Sequence, residues 1–463
     1  MKYIVTLLVF SLFACSTDNP ASAQSPLAAH PVFDLTKVPE IEITVPLSQW
    51  NALLSNYDQN PKNEKKIVAR FSYKSGGETV FLDSIGLKLR GNTSRRRPEG
   101  VTGQPHNAAS PDWHHCHFGL DFDKNRPAQK FKGLSKMNLK WFKDDANYVR
   151  EIYSYDLFRR FGVWTAPQAS YCRLTIKVEG GAQPAYFGVY SMIESVDEDY
   201  VAARSSHWGN AVGFMWKGSH IGSFQPDFVS TNSVGVEDVK MNPAKSQYFA
   251  YDLKTRKDEL ASAKASLTQF ISDLNSKSGD EFKSWISQRM DIDLFLKTYA
   301  TNVMLGMWDD YWVNTNNFYF YIAPDQKAYF IPYDYDNALG TSMIVANSGT
   351  KDPLSWGPQT RPLVAKILGI PEYREKYKAY ISELANANRD LFDAAKSKQR
   401  ILGWHAMIAP YVSNDTGEDM NIGDVPASWG NAPFYRLMSG NDKGGANGPA
   451  NYFSTRINSI PWQ

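Results

Sequence analysis

Residues Trp308–Gly340 read WDDYWVNTNNFYFYIAPDQKAYFIPYDYDNALG, and the two aromatic runs inside this stretch decide how the chain is read. Phe318–Ile322 and Ala328–Ile331 are rich in the aromatic and β-branched residues that favour strands. Ala323-Pro324-Asp325-Gln326-Lys327 between them supplies a turn. A hairpin returns the chain to the end where it started. Asn316 and Asn317, before the first strand, are therefore expected to meet Asp334 and Asp336, after the second. Asp309 and Asp310 sit in the loop leading into that end, with Asn314 beside them.

Carboxylates gathered in one small volume repel unless the site is wet or a cation lies between them. Hard divalent cations such as Mg²⁺ favour this set of carboxylate, amide oxygen and water. The order also matches phosphoryl-transfer enzymes of the protein-kinase type. In those, a loop Asp orients the acceptor hydroxyl, an Asn before a hairpin binds metal, and an Asp after it binds metal again. Taken singly, each of these residues is an ordinary turn former. It is the coupling of an acid-rich loop to a hairpin with acids at its far end that points to a site.

Working outward, Met1–Cys15 has Lys2 followed by an apolar run from Ile4 to Ala14. That run is too short to span a bilayer core of about 30 Å and fits a secretory signal. Leu12-Phe13-Ala14-Cys15 resembles the bacterial lipobox, in which the Cys is lipidated. Ser16 stands where an Asp would retain the protein at the inner membrane, so the expectation is an outer-membrane lipoprotein of a bacterial cell envelope, anchored through Cys15. Residues 16–30 read as a flexible tether, and 31–463 as one large two-lobed domain without linker-like composition. Only Cys116 and Cys172 then remain, too few for a disulfide framework. The formal charge of +2 over the whole chain argues against nucleic acid as a main partner. Oligomeric state leaves no signature in the sequence.

Pro39–Ser48, Lys66–Ser72, Asp83–Leu89, Cys116–Phe122 and Met137–Lys140 read as strands, several with clear alternation. The strand ending at Leu89 runs into Arg90-Gly91-Asn92-Thr93-Ser94, a turn able to offer backbone N–H groups to phosphate, with Arg95-Arg96-Arg97 adding positive charge. Trp113-His114-His115-Cys116-His117 carries zinc-ligand residue types but lacks a second half with ligand spacing, so a strand is the stronger reading. A helix is expected from Asp144 or Asp145 as N-cap to Gly162 as stop, with Arg150, Glu151 and Asp156 flanking its apolar face. Tyr171–Val178 and Tyr186–Ile193 form a hairpin ending at Glu194. Ser195 is expected to cap the next helix, and Lys217 is a partner for Glu194. Phe224–Lys245 reads as irregular, Ser246–Trp285 as helices, and Asp291 as the cap of an apolar helix feeding the Asp309 loop. Arg361–Asp393, Gln399–Tyr411 and Tyr452–Ile457 read as helices, and Asn414–Asn451 as a Gly/Asn-rich loop.

Laid out in order, these pieces resemble the spore-coat-protein-H (CotH) kinase family from about Glu40 to Arg456. The resemblance rests on Leu89-Arg90-Gly91-Asn92-Thr93-Ser94, Tyr148-Val149-Arg150-Glu151 with Asp156-Leu157, Gly188-Val189-Tyr190 with Ile193-Glu194, and Trp216-Lys217-Gly218. It continues with Trp308-Asp309-Asp310-Tyr311, Asn316-Asn317, and Ile331-Pro332-Tyr333-Asp334-Tyr335-Asp336. It implies a divergent α+β protein-kinase-like fold, with a β-rich N-terminal lobe and a helical C-terminal lobe. It further implies a secreted enzyme that uses ATP with Mg²⁺ or Mn²⁺ to phosphorylate an extracytoplasmic protein.

By position, Asp309 or its neighbour Asp310 is the catalytic acid. Asn317 and Asp334 bind metal, Asp336 is a further ligand or a structural residue, and Arg90, Asn92 and Ser94 lie near phosphate. The commoner family pattern has a Lys soon after the Arg-Gly-Asn-Ser motif. Here Pro98-Glu99 and an insertion follow, so the phosphate-contacting lysine is one of Lys140 and Lys217, paired with Glu151 or Glu194. Two other classes stay open: a non-catalytic surface protein using the scaffold to bind a partner, and nucleotidyl or glutamyl transfer.

Overall fold

The computed structural model describes residues 27–143, 145–181, 183–238, 248–342, 344–345, 347–412 and 449–463. Cys15, Asp144, Ser246 and most of Asn414–Asn451 lie outside them. The described chain is a mixed α+β structure with a barrel in its N-terminal part and helices toward its C-terminus.

The first strand is β1 (Glu40–Val45), where alternation buries Ile41 and Ile43 completely. The expected strand stops short of Ser48, because Pro46 has no N–H for a ladder, while its carbonyl accepts the first amides of a helix. That helix, α1 (Leu47–Gln59), turns Trp50, Leu53 and Leu54 inward. Next come β2 (Ile67–Ser75), β3 (Glu78–Arg90), β4 (His117–Asp121), β5 (Lys136–Lys140) and α2 (Arg150–Arg160). The hairpin β6 (Ala169–Val178) and β7 (Ala185–Glu194) follows. The strand order is β1-β2-β3-β4-β5-β7-β6, closed by parallel pairing of β6 with β1. Along β6 the period of two sends Cys172, Leu174 and Ile176 into the barrel and Tyr171 into the core shared with α2.

The segment after β3 folds onto α1. Glu99, 2% exposed, accepts from Trp50 Nε1 at 2.8 Å, His106 Nδ1 at 2.8 Å and the Asn107 amide at 2.9 Å. Arg97 is forked onto Asp58 (2.8 and 3.0 Å) and Arg95 reaches Glu64 (3.2 Å), so these two arginines fasten the segment and are not a free basic patch. The His cluster is likewise structural: His115 stacks on Trp141 at 4.5 Å, and His117 Nδ1 accepts the Trp141 amide. Cys116 and Cys172 are both buried, and no disulfide joins them.

Asp145 is not the N-cap expected of it, because α2 begins at Arg150 after Val149, but its carboxylate accepts the Val149 and Arg150 amides at 2.7 Å each while also pairing with Arg150 Nη1 at 2.7 Å. Arg150 and Glu151 are buried and do not flank the helix as expected. After β7, Asp197 and not Ser195 caps α3 (Glu198–Ala203), because its side chain reaches the Asp199 and Tyr200 amides. The short α4 (Ser205–Trp208) follows.

A second sheet, in order β12-β11-β8-β10-β9, is built from β8 (Phe214–Gly218), β9 (Val234–Gly235), β10 (Tyr251–Leu253), β11 (Phe318–Ile322) and β12 (Ala328–Pro332). Tyr251–Leu253, expected to be helical, is drawn into strand by pairing with both β8 and β9. The helices are α5 (Leu260–Ser276), α6 (Gly279–Arg289), α7 (Ile292–Leu305), α8 (Pro362–Gly369), α9 (Pro371–Ala385), α10 (Ala394–Ile408) and α11 (Pro449–Asn458). Pro371 breaks the expected single helix into α8 and α9. Asp393 closes no helix but opens α10, accepting the Lys396 amide at 2.8 Å. Among the described residues, no helix is long and apolar enough to cross a membrane.

Candidate active site

The hairpin expected from the sequence forms, with Phe318 opposite Pro332 and Ile322 opposite Ala328. That register sets Asn317 across from Tyr333 and brings Asp334 to the same end. Both Asn317 (φ 53°) and Asp334 (φ 64°) take the left-handed conformation, which Asn and Asp tolerate better than most residues.

Asp309 is held by a ring of amides. Its carboxylate accepts from Asn314 Nδ2 at 2.6 Å, Asn316 Nδ2 at 3.1 and 3.2 Å, and Asn317 Nδ2 at 2.8 Å. Burial pushes its pKa up, the amide hydrogen bonds pull it down, and the nearby charge of Asp334 raises it again. Asp310 points elsewhere. It is 4% exposed, accepts from Asn302 Nδ2 at 2.6 Å and the Val313 amide at 2.7 Å, and burial lifts it to about 7. Of the two neighbours, Asp309 faces the Asn-rich rim and Asp310 faces α7.

Lys140, the last residue of β5, lies at the centre. Its Nζ is 2.7 Å from Glu151 Oε2 on α2 and 3.3 Å from Asp336 Oδ2, and it is hydrogen-bonded to Asp334 Oδ1. Burial works against the Lys140 charge, yet Asp334, Asp336 and Glu151 outweigh it and hold the ammonium well above its usual range. Burial also disfavours a charged Asp334. Lys140, Arg90 and Lys217 nonetheless draw its pKa down to about 2. Glu151, buried and facing the same Asp334, is pushed up. Tyr155 joins the two acids: its hydroxyl accepts the Asp334 N–H at 3.0 Å and donates to Glu151 Oε1 at 3.3 Å.

Arg90, the last residue of β3, donates from Nη2 to the Tyr333 hydroxyl at 2.7 Å, tying the barrel to the hairpin. Lys217 lies on β8 with Nζ 5.8 Å from the Tyr333 ring centre. In the loop after Arg90, Asn92 accepts from Lys62 Nζ. Ser94 Oγ would lie 2.7 Å from any Cβ at Gly91, which has φ 106° and so must be glycine. Neither Asn92 nor Ser94 touches the lysine centre. Glu194 is not part of it either: Arg204 Nη1 and Nη2 grip its carboxylate at 2.9 and 2.8 Å, in place of the expected Lys217.

Among the described residues, no three His, Cys, Asp or Glu side chains form a group that could hold a metal ion by themselves. What converges is an oxygen-rich end of a hairpin, a caged carboxylate and a lysine shared by three acids. Tyr155, Asn302 and Tyr335 also belong to this centre and were not singled out from the sequence. Their signal there is only a polar residue at a core position of a helix or beside Asp334.

A barrel joined to a helical half, with a buried lysine–carboxylate centre where they meet, defines the class of protein. The family model described as CotH kinase protein matches residues 87–435. The chain belongs to that family. It is 24% identical to inner spore coat protein H of Bacillus subtilis, over 62% of this chain and 71% of that protein. Two proteins of Rhizopus delemar are also similar. Spore coat protein homolog 1 is 20% identical and invasin CotH7 22%, each match covering 82% of this chain. The matches span 56% of the length of each of those two fungal relatives.

Proposed function

We propose that the protein is an extracytoplasmic phosphotransferase, which moves the γ-phosphoryl group of ATP onto a hydroxyl of a protein substrate. The observation that carries this is Lys140, set 2.7 Å from Glu151 of α2 while also facing Asp334 after the hairpin. A strand lysine paired with a helix glutamate, together with a metal-binding acid, is what kinase chemistry requires. In this reading the barrel is the nucleotide-side lobe and the helical half is the acceptor-side lobe of a kinase-like fold.

The donor set suits Mg²⁺ or Mn²⁺. Such ions keep several waters and need only one or two carboxylates beside the substrate phosphates, so a closed protein cage is not required. Asp334 would hold the ion, with Asp336 and the Oδ1 of Asn317, whose Nδ2 is already engaged by Asp309. When bound, the ion neutralises charge on the phosphate oxygens.

Asp309, fixed by its asparagines, orients the acceptor hydroxyl and takes its proton as that oxygen bonds to the γ-phosphorus. The bond from γ-phosphorus to the bridging oxygen breaks, and ADP leaves. Lys140, with Arg90 and Lys217 beyond it, balances the phosphate charge. Two relatives carry spore-coat names and one the name invasin. These names support a surface location, and the lipobox-like Leu12–Cys15 would supply the lipid anchor proposed at the outer membrane.

Full-length protein incubated with γ-labelled ATP and Mg²⁺ or Mn²⁺, beside Asp334→Ala, tests the reading. Label on protein that the substitution abolishes is the expected result. Label from the α-phosphate would mean nucleotidyl transfer, and label from glutamate would mean glutamyl transfer. Absence of nucleotide binding in both proteins would favour a binding scaffold.

A further inference from the structure

Asn302 lies on α7, 2% exposed, and each end of its side-chain amide is used by a different segment of the site. Nδ2 donates to Asp310 Oδ2 at 2.6 Å, and Oδ1 accepts from the Tyr335 hydroxyl at 2.7 Å. On the first side, the other carboxylate oxygen of Asp310 accepts the Val313 amide at 2.7 Å. The Asp310 carbonyl accepts the Asn314 and Asn316 amides at 3.1 and 3.0 Å. Those asparagines, in turn, hold the Asp309 carboxylate. On the second side, Tyr335 lies between Asp334 and Asp336, with its ring packed edge-on against Phe158 of α2 at 5.0 Å.

We infer that Asn302 is a positioning residue that fixes the Asp309 loop relative to Asp334, acting through Asp310 on one side and Tyr335 on the other. This rests on the phosphotransferase reading above. A side-chain amide can donate to a carboxylate and accept from a phenol at once. A leucine of similar shape can do neither. The link joins the acceptor-orienting acid to the phosphate-side acid without touching substrate. In-line transfer depends on that separation, and a misplacement of about 1 Å can cost about 100-fold in rate.

The test uses full-length Tyr335→Phe, Asn302→Leu and the double variant, with γ-labelled ATP and Mn²⁺. Each single variant is expected to lower the maximal rate about 10- to 100-fold, with KM for ATP within about threefold of wild type. The double variant should be no slower than the slower single, because both substitutions cut one link. Rates within about twofold of wild type, multiplying losses, or a rise in KM at unchanged rate would overturn the inference.

Amide hydrogen exchange reads the link without activity. In Tyr335→Phe, which deletes one hydroxyl and keeps the ring, the Val313, Asn314 and Asn316 amides should exchange faster although none touches Tyr335. Faster exchange confined to residues 334–336 would refute the link. A wild type that transfers no phosphate would refute the proposed function and leave this exchange result standing.

Discussion

The Tyr155 hydroxyl accepts the backbone N–H of Asp334 at 3.0 Å, so a helix side chain holds the proposed metal-side acid by its main chain. The same oxygen donates to Glu151 at 3.3 Å, and Asp334 keeps its left-handed backbone at φ 64° within this hold. Tyr155→Phe retains the ring and leaves the Asp334 amide without its acceptor. We expect a stability loss of about 1–2 kcal/mol in urea unfolding and a clear fall in phosphoryl transfer. Unchanged stability and unchanged rate would show that the hydroxyl is idle.

Lys140 carries the charge balance of the centre. Its side chain and that of Glu151 are 7% and 5% exposed, whereas Asp334 is 34% exposed and so screened by water. Removing one partner of a buried pair costs about 3 kcal/mol, and the Glu151 contact accounts for most of it. Lys140→Met should lose that much at pH 7 and abolish measurable transfer. The sign with pH follows from Asp334. Its folded pKa of about 2 lies below the ordinary 3.8, so its contribution is present above pH 4 and lost as pH falls through 2. The gap between wild type and variant should therefore narrow in acid. Unfolding curves at neutral and strongly acidic pH check this.

Asp310 sets the opposite slope. Burial raises it to about 7 from 3.8, so between those values the native state holds a proton that the unfolded chain has released. Stability from this group is complete below pH 4 and is lost as pH rises through 7, by at most about 1.4 kcal/mol per unit. Asp310→Asn has no such proton, and its stability should fall less steeply than wild type across that window. Other raised acids, Asp197 among them at about 6, contribute to both proteins and cancel. Parallel curves for the two proteins between pH 4 and 7 would count against an elevated Asp310.

How much could be read beforehand depended on how local the cause was. The β11–β12 hairpin was legible because its strands, turn and flanking acids lie within one short stretch, and closure follows from the turn alone. Helix α1 went unread, although Trp50, Leu53 and Leu54 stand at helical spacing, because the strand pattern of β1 was carried past Pro46. The lysine partner was not legible. Glu151 and Glu194 each sit at the end of an element, and only the register decides between them: Glu194 pairs with Met137, three residues back along β5 from Lys140. That separation is about 10 Å along a strand. Asn302 was invisible for a similar reason, since a lone amide in an apolar helix has no signal until Asp310 and Tyr335 fold against it.

Glu194, released from any role with Lys140, becomes a stability element whose cost can be measured. Its carboxylate is gripped by both terminal nitrogens of Arg204. The same guanidinium also donates to the carbonyls of Trp164, Ala166 and Tyr200, at 3.0, 3.1 and 3.2 Å. The Arg204 guanidinium further lies 3.6 Å from the Tyr200 ring centre. One fully buried cation thus closes the turn before β6, the end of β7 and α3 onto each other. Arg204→Met keeps much of the volume but strands the Glu194 carboxylate without a counter-charge, which should cost about 3–5 kcal/mol. Adding Glu194→Gln to that variant removes the stranded charge and should recover part of the loss. Transfer kinetics of Arg204→Met, measured well below its melting temperature, should match wild type, because no atom of the pair reaches Lys140 or Asp309. A rate defect in well-folded Arg204→Met would return Glu194 to the site, and failure of the second substitution to restore stability would mean that the stranded charge is not the source of the cost.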